Sequence, residues 1–446
     1  MPVSHTLDGL RVTFDDERLV GHAGLLLPAS LAQHLGIRDL IDELVDLGAA
    51  AGHAHPGDKS MTVISSVLAG GDCIDDVDAL RSGGSAAVLG HRVAAPSTVG
   101  TFLRGFGWGH VRQLDAVSRE VLARAWRAGA GPGPAPLTID LDSTICETYG
   151  QFKQGGARFT YTHVKGYHPL LATAAGTGDV LHARLRGGPA NAGRGAASFL
   201  AETIHRVREA GATGTITMRG DAGFFSHKVV RVCRQHGVRF SITVRLNASV
   251  HRALAEIPEE AWTPIPYFLD SAEVAETVYT PFSRSESRRE SRPVRLVVRR
   301  VRPTPGTQLD LEGILFTYHT FITDRDGDTV DVEADHRRHA EVENVIRDLK
   351  EGVALNHMPS GRFAANAAWL ALNVLAHNLA RWVTRLGLGE TLLRTKTLRY
   401  RLFALPGRLA HSARRTHLHL PAAWPWAPRF LGALDRLRTL QTATPA

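Results

Sequence analysis

The sequence has little cysteine and no long apolar run. Its cysteines, Cys73, Cys146 and Cys233, are never in CxxC spacing, which argues against a disulfide framework or a structural zinc site and favours a reducing cytoplasm. No run of about 18 uncharged apolar residues is present, so no membrane span is predicted. The first residues lack a basic segment followed by an apolar one, and we expect no secretory signal. The absence of a GxxxxGKS or GxxxxGKT motif means that ATP binding is not indicated.

Lysine is also scarce. Of the 52 basic residues 6 are lysines, which leaves 52 − 6 = 46 arginines against 44 acids and a formal net charge of +8. Arginine bias is equally typical of GC-rich genomes, so the composition favours an anionic partner only weakly. The positions of the arginines must decide whether the partner is a nucleic acid.

The chain before residue 128 is predicted to be mainly helical. Leucine and isoleucine recur at three- and four-residue spacing in 19–47, and similar apolar faces occur in 59–71 and 97–106. The segment AGAGPGPAP at 128–136 cannot continue a helix, because glycine and proline are too dense there. We therefore predict a helical domain over 1–127 followed by a linker.

Beyond the linker the pattern changes to strands. Residues 137–249 read as β-β-β-α-β-α-β, with strands at 137–146, 157–166 and 180–187 first, and the next strong helix is delayed until about residue 336. This order matches a ribonuclease H-like fold, in which helices flank a mixed sheet. The predicted fold class is α/β, with that core interrupted by a β-rich insertion and preceded by the helical domain. The predicted core lies at 137–249 and 316–389, the insertion at 250–315 and a basic C-terminal region at 390–446.

Three acidic residues fall where this fold would bring them together. Asp142 lies on the first strand, Asp221 ends a buried strand and Glu343 lies on the helix predicted over 336–352. Asp140 shares a strand face with Asp142 and is the alternative to it. A single acid of this kind is usually a turn, cap or solvated residue, so only the joint placement is informative. Such carboxylates suit two Mg²⁺ (or Mn²⁺) ions about 4 Å apart in phosphodiester chemistry.

Several motifs in order resemble a known family. The similarity covers most of the chain and is to bacterial transposases of insertion-sequence family 1380, in the family 4 superfamily, with a transposase DDE domain of group 1. It implies cleavage and strand transfer at the terminal inverted repeats of an insertion sequence, with double-stranded end and target DNA as substrates. It also implies a homodimer in the end complex and a nucleoid-associated, cytoplasmic location. The motifs are IDLDST (139–144), KGYHPLLA (165–172), ARLRGGPANAGRG (183–195), RGDAGF (219–224), AEVENVIRDLKEG (340–352) and FAANAAWLALNVLAHNLARW (363–382).

The resemblance implies roles for the three acids as catalytic residues and metal ligands. Asp142 matches the first Asp of the family triad, Asp221 the second and Glu343 the Glu. The sequence Asp-Ser-Thr after residue 141 is closer to the family's Asp-x-Thr than the sequence at Asp140 is, so Asp142 is preferred while Asp140 stays open.

The superfamily's Tyr-Arg-Glu-Lys pattern is matched in part. Lys350 stands seven residues after the Glu, which is two helical turns and therefore the same helix face. The Tyr and Arg positions hold His336 and His339, which depart from the pattern but keep its spacing. We expect Lys350, the neighbouring Arg347 and the two histidines to contact DNA.

Two arginine-rich segments are further candidates for DNA contact. Eight arginines lie between 284 and 302, and ten basic residues with one acid lie between 394 and 438, interleaved with aromatic residues. A solvated surface is the alternative for each segment. Trp262 in the insertion is a candidate for stacking on a flipped base, although packing in a small core is the commoner role. The arginines chosen from these segments are Arg299, Arg300, Arg399 and Arg401.

Two other functions remain compatible with the sequence. One is a ribonuclease H-fold nuclease without strand transfer, and the other is a non-catalytic DNA-binding protein derived from a transposase. The intact set of Asp142, Asp221, Glu343 and Lys350 argues against the second. Terminal inverted repeats with short direct duplications in the flanking DNA would distinguish a transposase from a nuclease.

Overall fold

The computed structural model begins with a mainly helical region. It describes residues 10–149, 153–154, 156–160, 162–266, 272–283, 291–303, 306, 308 and 315–440. The last long helix of the first region passes into a π-helical turn at Trp126–Ala130 that ends where Gly129 takes a φ of 103°, a value that favours glycine. The helices are α1 (Leu26–His34), α2 (Ile37–Leu44), α3 (Pro56–Ala69), α4 (Ser85–Leu89), α5 (Pro96–Gly105) and α6 (Trp108–Ala125).

A nine-stranded mixed sheet forms the centre of the molecule, in the order β10-β11-β12-β13-β9-β8-β2-β6-β7. The pairs β2–β8 and β8–β9 are parallel, and the other pairs are antiparallel. The strands are β2 (Leu137–Ser143), β6 (Leu170–Ala174), β7 (Val180–Arg184), β8 (Ile216–Gly220), β9 (Arg239–Val244), β10 (Thr263–Pro264), β11 (Ala272–Tyr279), β12 (Val294–Val301) and β13 (Thr317–Thr323).

Two small sheets and eight further helices complete the described chain. One sheet contains β3 (Cys146–Glu147), β4 (Arg158–Phe159) and β5 (Lys165–Tyr167), and the other contains β1 (Leu19–Val20), β14 (Gly407–Ser412) and β15 (Arg415–His419). The helices are α7 (Ala196–Glu209), α8 (His227–Gln235), α9 (Ala248–Ala255), α10 (Thr329–Arg337), α11 (Val342–Gly352), α12 (Phe363–Trp382), α13 (Thr395–Leu398) and α14 (Ala427–Arg438).

The prediction of a mixed α/β protein is confirmed, but one predicted strand is wrong. The strand expected at 157–166 is two short strands of a small sheet, and the partner of β2 is instead β6. All five residues of β6 are buried, so its sequence LLATA has no alternation of apolar and polar residues to mark it. The strands predicted in the insertion extend the central sheet, because β13 pairs with β9 through Thr320 and Val244.

Helix α12 joins the helical region to the sheet. Seventeen of its twenty residues are buried, as its apolar sequence predicts. It packs on α3, α5 and α6 on one side and on β7 and α11 on the other. Packing is therefore continuous across residues 128–136. Within the described part of the chain, none of the helices has the length and apolarity that crossing a membrane requires.

A buried carboxylate, that of Asp179, lies at this junction. Its oxygens accept hydrogen bonds from the indole nitrogens of Trp126 (3.4 Å) and Trp382 (3.2 Å) and from Arg385 Nη1 (2.8 Å). The indoles belong to the end of the helical region and to α12. One side chain thus connects three segments that are far apart in sequence.

Asp179→Ala should lower the free energy of unfolding by about 3–5 kcal/mol, because it leaves a largely buried guanidinium and two indole N–H groups without their acceptor. Chemical denaturation followed by circular dichroism measures the change. Asp39→Ala is the control, since Asp39 pairs with Arg38 at the surface and its loss should cost less than about 1 kcal/mol. Equal effects of the two substitutions would contradict the central role of Asp179.

Candidate active site

Two of the predicted acids lie at neighbouring strand ends. Asp142 is half-buried near the end of β2, and its Oδ1 accepts a hydrogen bond from the Ser143 backbone N–H at 2.6 Å. Asp221 directly follows β8, is exposed and caps the next turn by accepting from Gly223 N–H at 2.9 Å. Because β2 and β8 are parallel neighbours, their carboxyl ends share one edge of the sheet.

The third acid, Glu343, is exposed in the first turn of α11. Burial raises the pKa of Asp142 to about 6, and the negative charges of Asp221 and Glu343 contribute to the rise. The Ser143 N–H and the nearby His339 act in the opposite direction and lower that pKa. Asp142 and Asp221 therefore lie at one edge of the sheet, and Glu343 is near enough for its charge to act on Asp142, although about 200 residues separate the first acid from the last.

Asp140 has a different environment from Asp142. It is 1% exposed, and both of its oxygens accept hydrogen bonds from Arg219, Oδ1 from Nε and Oδ2 from Nη2, each at 2.8 Å. Arg219 is equally buried and also donates to Asp335. Of the two candidates for the first acid, Asp142 lines the open cleft and Asp140 is held in a buried ion pair.

The helix that carries Glu343 is anchored on both sides. Before it, His339 Nδ1 lies 2.8 Å from Asp140 Oδ1, which joins the start of the helix to β2. Within it, Asp348 accepts from Arg381 Nη2 at 2.9 Å and from Thr395 Oγ1 at 2.8 Å. Although Asp348 is buried, its pKa lies well below the usual range because His377 and Arg381 hold its charge. These contacts orient Glu343 relative to the strand ends.

A cleft of about 1060 Å³ opens beside Asp142 and Asp221. Its walls include three exposed cations, Arg194, Lys228 and Arg245. Arg194 precedes the first turn of α7, Lys228 is the second residue of α8, and Arg245 follows β9. Within the described residues none of the three has a carboxylate at ion-pair distance. The cleft thus combines acids on its floor with unpaired positive charge on its walls.

Sequence analysis did not single out these three cations. They lie outside the two arginine-rich segments, and none has a motif of its own. The available signal was topological, because β2, β8 and β9 are parallel and the residues after their carboxyl ends meet at one edge. Arg245 follows the third of these strands as Asp221 follows the second.

A second cavity of about 260 Å³ is lined by Glu343 and by three of the predicted DNA contacts, His336, His339 and Arg299. His336 is stacked on Phe321 with ring centres 3.9 Å apart, and its nitrogens lie 2.7 Å from Ser241 Oγ and 3.0 Å from Thr243 Oγ1. Arg299 lies 3.6 Å from the carboxylate of the buried Glu333. Both side chains therefore have partners inside the protein.

Other predicted contacts are also engaged internally. Arg300 is 5% exposed, pairs with Glu259 and Glu273, and lies 4.2 Å above the ring of Trp262. Trp262 packs against the hydrophobic core, and the guanidinium covers its face. Arg399 donates to the carbonyls of residues 67, 68 and 352. We give these three residues a structural role.

The remaining predicted contacts are more accessible. Lys350 is half-buried on α11 and close enough to the buried thiol of Cys146 to lower its pKa, although burial raises that pKa far more, to about 12. Arg347 on the same helix is exposed. Arg401 is half-buried with its guanidinium 5.5 Å from the ring of Trp426.

The donor set of the cleft suits divalent cations. It consists of carboxylate oxygens, and their mutual repulsion contributes to the raised pKa of Asp142, so a cation between them would remove an electrostatic cost. The three carboxylates are not gathered within 4.8 Å of one another; among the described residues only Asp72, Cys73 and Asp76 are. In that group the Asp76 carboxylate already accepts the backbone N–H groups of Asp72 and Cys73.

The chain matches one family model and is similar to a solved structure. The family model described as "Transposase DDE domain group 1" matches residues 5–442. Among solved structures, the chain is similar to the cryo-EM structure of the piggyBac transposase synaptic complex with hairpin DNA, with a TM-score of 0.46 and 12% sequence identity over 85% of this chain and 79% of that one. No curated protein matches the chain.

In the metal-free protein, Asp142→Asn should raise the free energy of unfolding by about 1–3 kcal/mol at pH 7.5. A raised pKa means that the folded state favours the neutral carboxyl of Asp142. The free energy that this carboxyl contributes to folding is therefore fully present below the unfolded pKa of about 3.9, and it is lost as the pH rises through about 6. The gain should therefore disappear at pH 3.5. Thermal unfolding in chelator at both pH values measures it. The exposed Asp435→Asn is the control, and a gain that is the same at both pH values would contradict the assignment.

Proposed function

The chain belongs to the transposase DDE domain group 1 family, and on that premise we propose that it cuts and joins DNA at the ends of an insertion sequence through Asp142, Asp221 and Glu343. The placement of Asp142 and Asp221 in one cleft, at the carboxyl ends of two neighbouring parallel strands, is the observation that carries the proposal. The anchored helix that carries Glu343 lies near enough for its charge to act on Asp142. We further propose a ribonuclease H-like core, membership of the bacterial insertion-sequence family 1380, and action on DNA in the cytoplasm by a homodimer.

Asp142, Asp221 and Glu343 would hold two Mg²⁺ or Mn²⁺ ions. When bound, such ions activate the attacking oxygen and stabilise the leaving oxygen at phosphorus. The protein's part is to fix the three carboxylates, which it does with two parallel strand ends and an anchored helix. Asp140 would act behind them, because its bonds to Arg219 and His339 align the strands and the helix.

The cations of the cleft would hold the substrate. Arg194, Lys228 and Arg245 lie on its walls, where they would contact the phosphates on either side of the one being cleaved. Lys350 would add a point charge near Glu343, and the exposed Arg347 and the half-buried Arg401 would contribute to the wider electrostatic field. We propose that the helices of residues 1–127 recognise the element's ends and that residues 128–136 connect them to the catalytic core.

We propose that this core consists of two parts, 137–249 and 316–389. The insertion at 250–315 separates the two parts, and the basic region 390–446 follows the second.

Asp142→Asn, Asp221→Asn and Glu343→Gln should each slow cleavage of DNA carrying the element's terminal repeat by about 100-fold or more while leaving binding to that DNA largely intact. Each substitution removes a metal ligand and retains the size of the side chain. Nicking and gel-shift assays on the same substrate measure the two effects. Glu341→Gln is the matched control, since Glu341 is an exposed acid two residues from Glu343 that pairs with Arg338.

Full nicking activity in Asp221→Asn would overturn the triad. Loss of activity in Asp140→Asn with full activity in Asp142→Asn would show that the first acid is Asp140. Cleavage without joining of the 3′ end to target DNA would favour the nuclease over the transposase.

Lys350→Ala should weaken binding to uncleaved ends and slow nicking by about 5- to 150-fold, because a phosphate would lose a charge-assisted contact worth about 1–3 kcal/mol. Arg347→Ala on the same helix should do less, since its side chain is exposed and one turn from Glu343 on the other side. Parallel binding and rate measurements on the two variants decide between them. Wild-type behaviour of Lys350→Ala would remove the lysine from the proposed site.

A further inference from the structure

The C-terminal region contains a β-hairpin with an unusual distribution of charge. Strands β14 and β15 pair from Arg408 opposite His419 to Ser412 opposite Arg415, and Ala413 and Arg414 form the two-residue turn. Among the described residues, the contacts that hold the hairpin lie at its base. There β14 pairs with β1, and Leu409 packs with Val20 and its neighbours in a small apolar cluster.

The two faces of the hairpin differ. Because side chains alternate along a strand, Leu409 and its partner Leu418 point to the apolar cluster. The opposite face, which we call the outer face, carries exposed cationic and imidazole groups and no acid. Its members are Arg408, Arg415, His417 and His419, and Arg414 stands at the tip beside them.

These groups have few internal partners. Arg408 pairs with Asp16 at the base, but neither Arg414 nor Arg415 has a carboxylate at ion-pair distance among the described residues. The sequence contains no Asp or Glu between Glu390 and Asp435, so the segment that forms the hairpin carries no acid of its own. The outer face therefore carries two arginines without a carboxylate partner among the described residues, beside two histidines, while Leu409 and Leu418 lie on the opposite face.

The turn adds a second observation. Ala413 and Arg414 have φ values of 47° and 67°, and both lie in the left-handed region that two-residue hairpin turns require and that Asn and Gly normally occupy. An arginine there costs conformational energy relative to glycine, and its exposed side chain has no hydrogen bond or ion pair with the part of the chain that the structure describes. Backbone strain that no internal contact explains points to a role outside the folded chain.

We propose that the outer face of the hairpin 407–419 is a DNA-binding β-ribbon that contacts the phosphates of duplex DNA through Arg414 and Arg415. A two-stranded ribbon has the width that the major groove of B-DNA admits, so the exposed tip enters the groove while the arginines meet the phosphates at its borders. The choice of DNA as the partner rests on the proposed function, but the contact is independent of the acids and of cleavage.

The test uses the full-length chain with Arg414→Gly and Arg415→Thr combined. Glycine suits the left-handed turn and threonine suits a strand, so the variant removes two cations and favours the hairpin fold. Binding to a mixed-sequence 30-base-pair duplex is measured in chelator over a range of salt concentrations. Losing two phosphate contacts should reduce the slope of log K against log salt by about 1.8, which is roughly a 60-fold loss at 0.1 M salt when the two proteins converge at 1 M. The melting temperature should be unchanged or higher.

The matched control removes two exposed arginines elsewhere, Arg208 and Arg239, by substitution with alanine and should leave the slope within about 0.5 of that of the parent. An equal loss in the control would reduce the effect to net charge and overturn the proposal. An unchanged slope would also overturn the proposal. A variant that self-associates without losing DNA binding would overturn it as well, because the cations would then only protect the edge strand β15 from pairing with another chain.

Loss of cleavage in the triad variants with no effect at the hairpin would refute the hairpin alone. The reverse result would refute the catalytic assignment alone. A parent protein that fails to bind any duplex would overturn both.

Discussion

The buried ion pair between Asp140 and Arg219 is the interaction on which the arrangement of the site depends. It joins the parallel strands β2 and β8 one residue pair before their carboxyl ends, and through His339 and Asp335 it also holds the helices α10 and α11. A guanidinium with 1% exposure is tolerated only where its N–H groups have acceptors, and here they come from two separate parts of the chain. The ion pair that satisfies this buried charge therefore also fixes the relative positions of the segments that carry Asp142, Asp221 and Glu343.

The positions of the candidate acids at strand ends and at a helix start could be predicted from the sequence, because they depend on local patterns. Strand ends and helix starts are visible as changes of periodicity, and acids at those positions share an edge whenever the strands are parallel. The surroundings of each acid could not be predicted in the same way. Asp140 and Asp142 lie two residues apart on the same face of β2, with similar neighbours in the sequence. Asp140 is buried in an ion pair because Arg219 lies opposite it on β8, whereas Asp142 lines the cleft.

The density of arginines in the sequence did not predict which arginines line the cleft. Density of charge in the sequence suggested Arg300 and Arg399 as DNA contacts, yet both are held by acceptors distant in the chain, Arg300 by Glu259 and Glu273 and Arg399 by backbone carbonyls of α3. The cations that line the cleft are isolated in sequence. The composition of a segment gives the number of its charged side chains. Whether an arginine side chain is buried depends on the acceptors that the fold places beside it. The strand β6 escaped prediction for a related reason, since burial on both faces removes its alternation.

The continuity of the central sheet also has a geometric meaning. Because β13 pairs with β9, the insertion strands belong to the same hydrogen-bonded surface as the strand that carries Asp142, with no hinge between them. Six strand spacings separate β2 from the edge strand β10, and at about 4.8 Å per spacing this is about 29 Å. Base pairs in duplex DNA are stacked about 3.4 Å apart. Backbone hydrogen bonds therefore fix the separation between the edge strand and the strand that carries Asp142, and that separation equals the length of about eight or nine stacked base pairs.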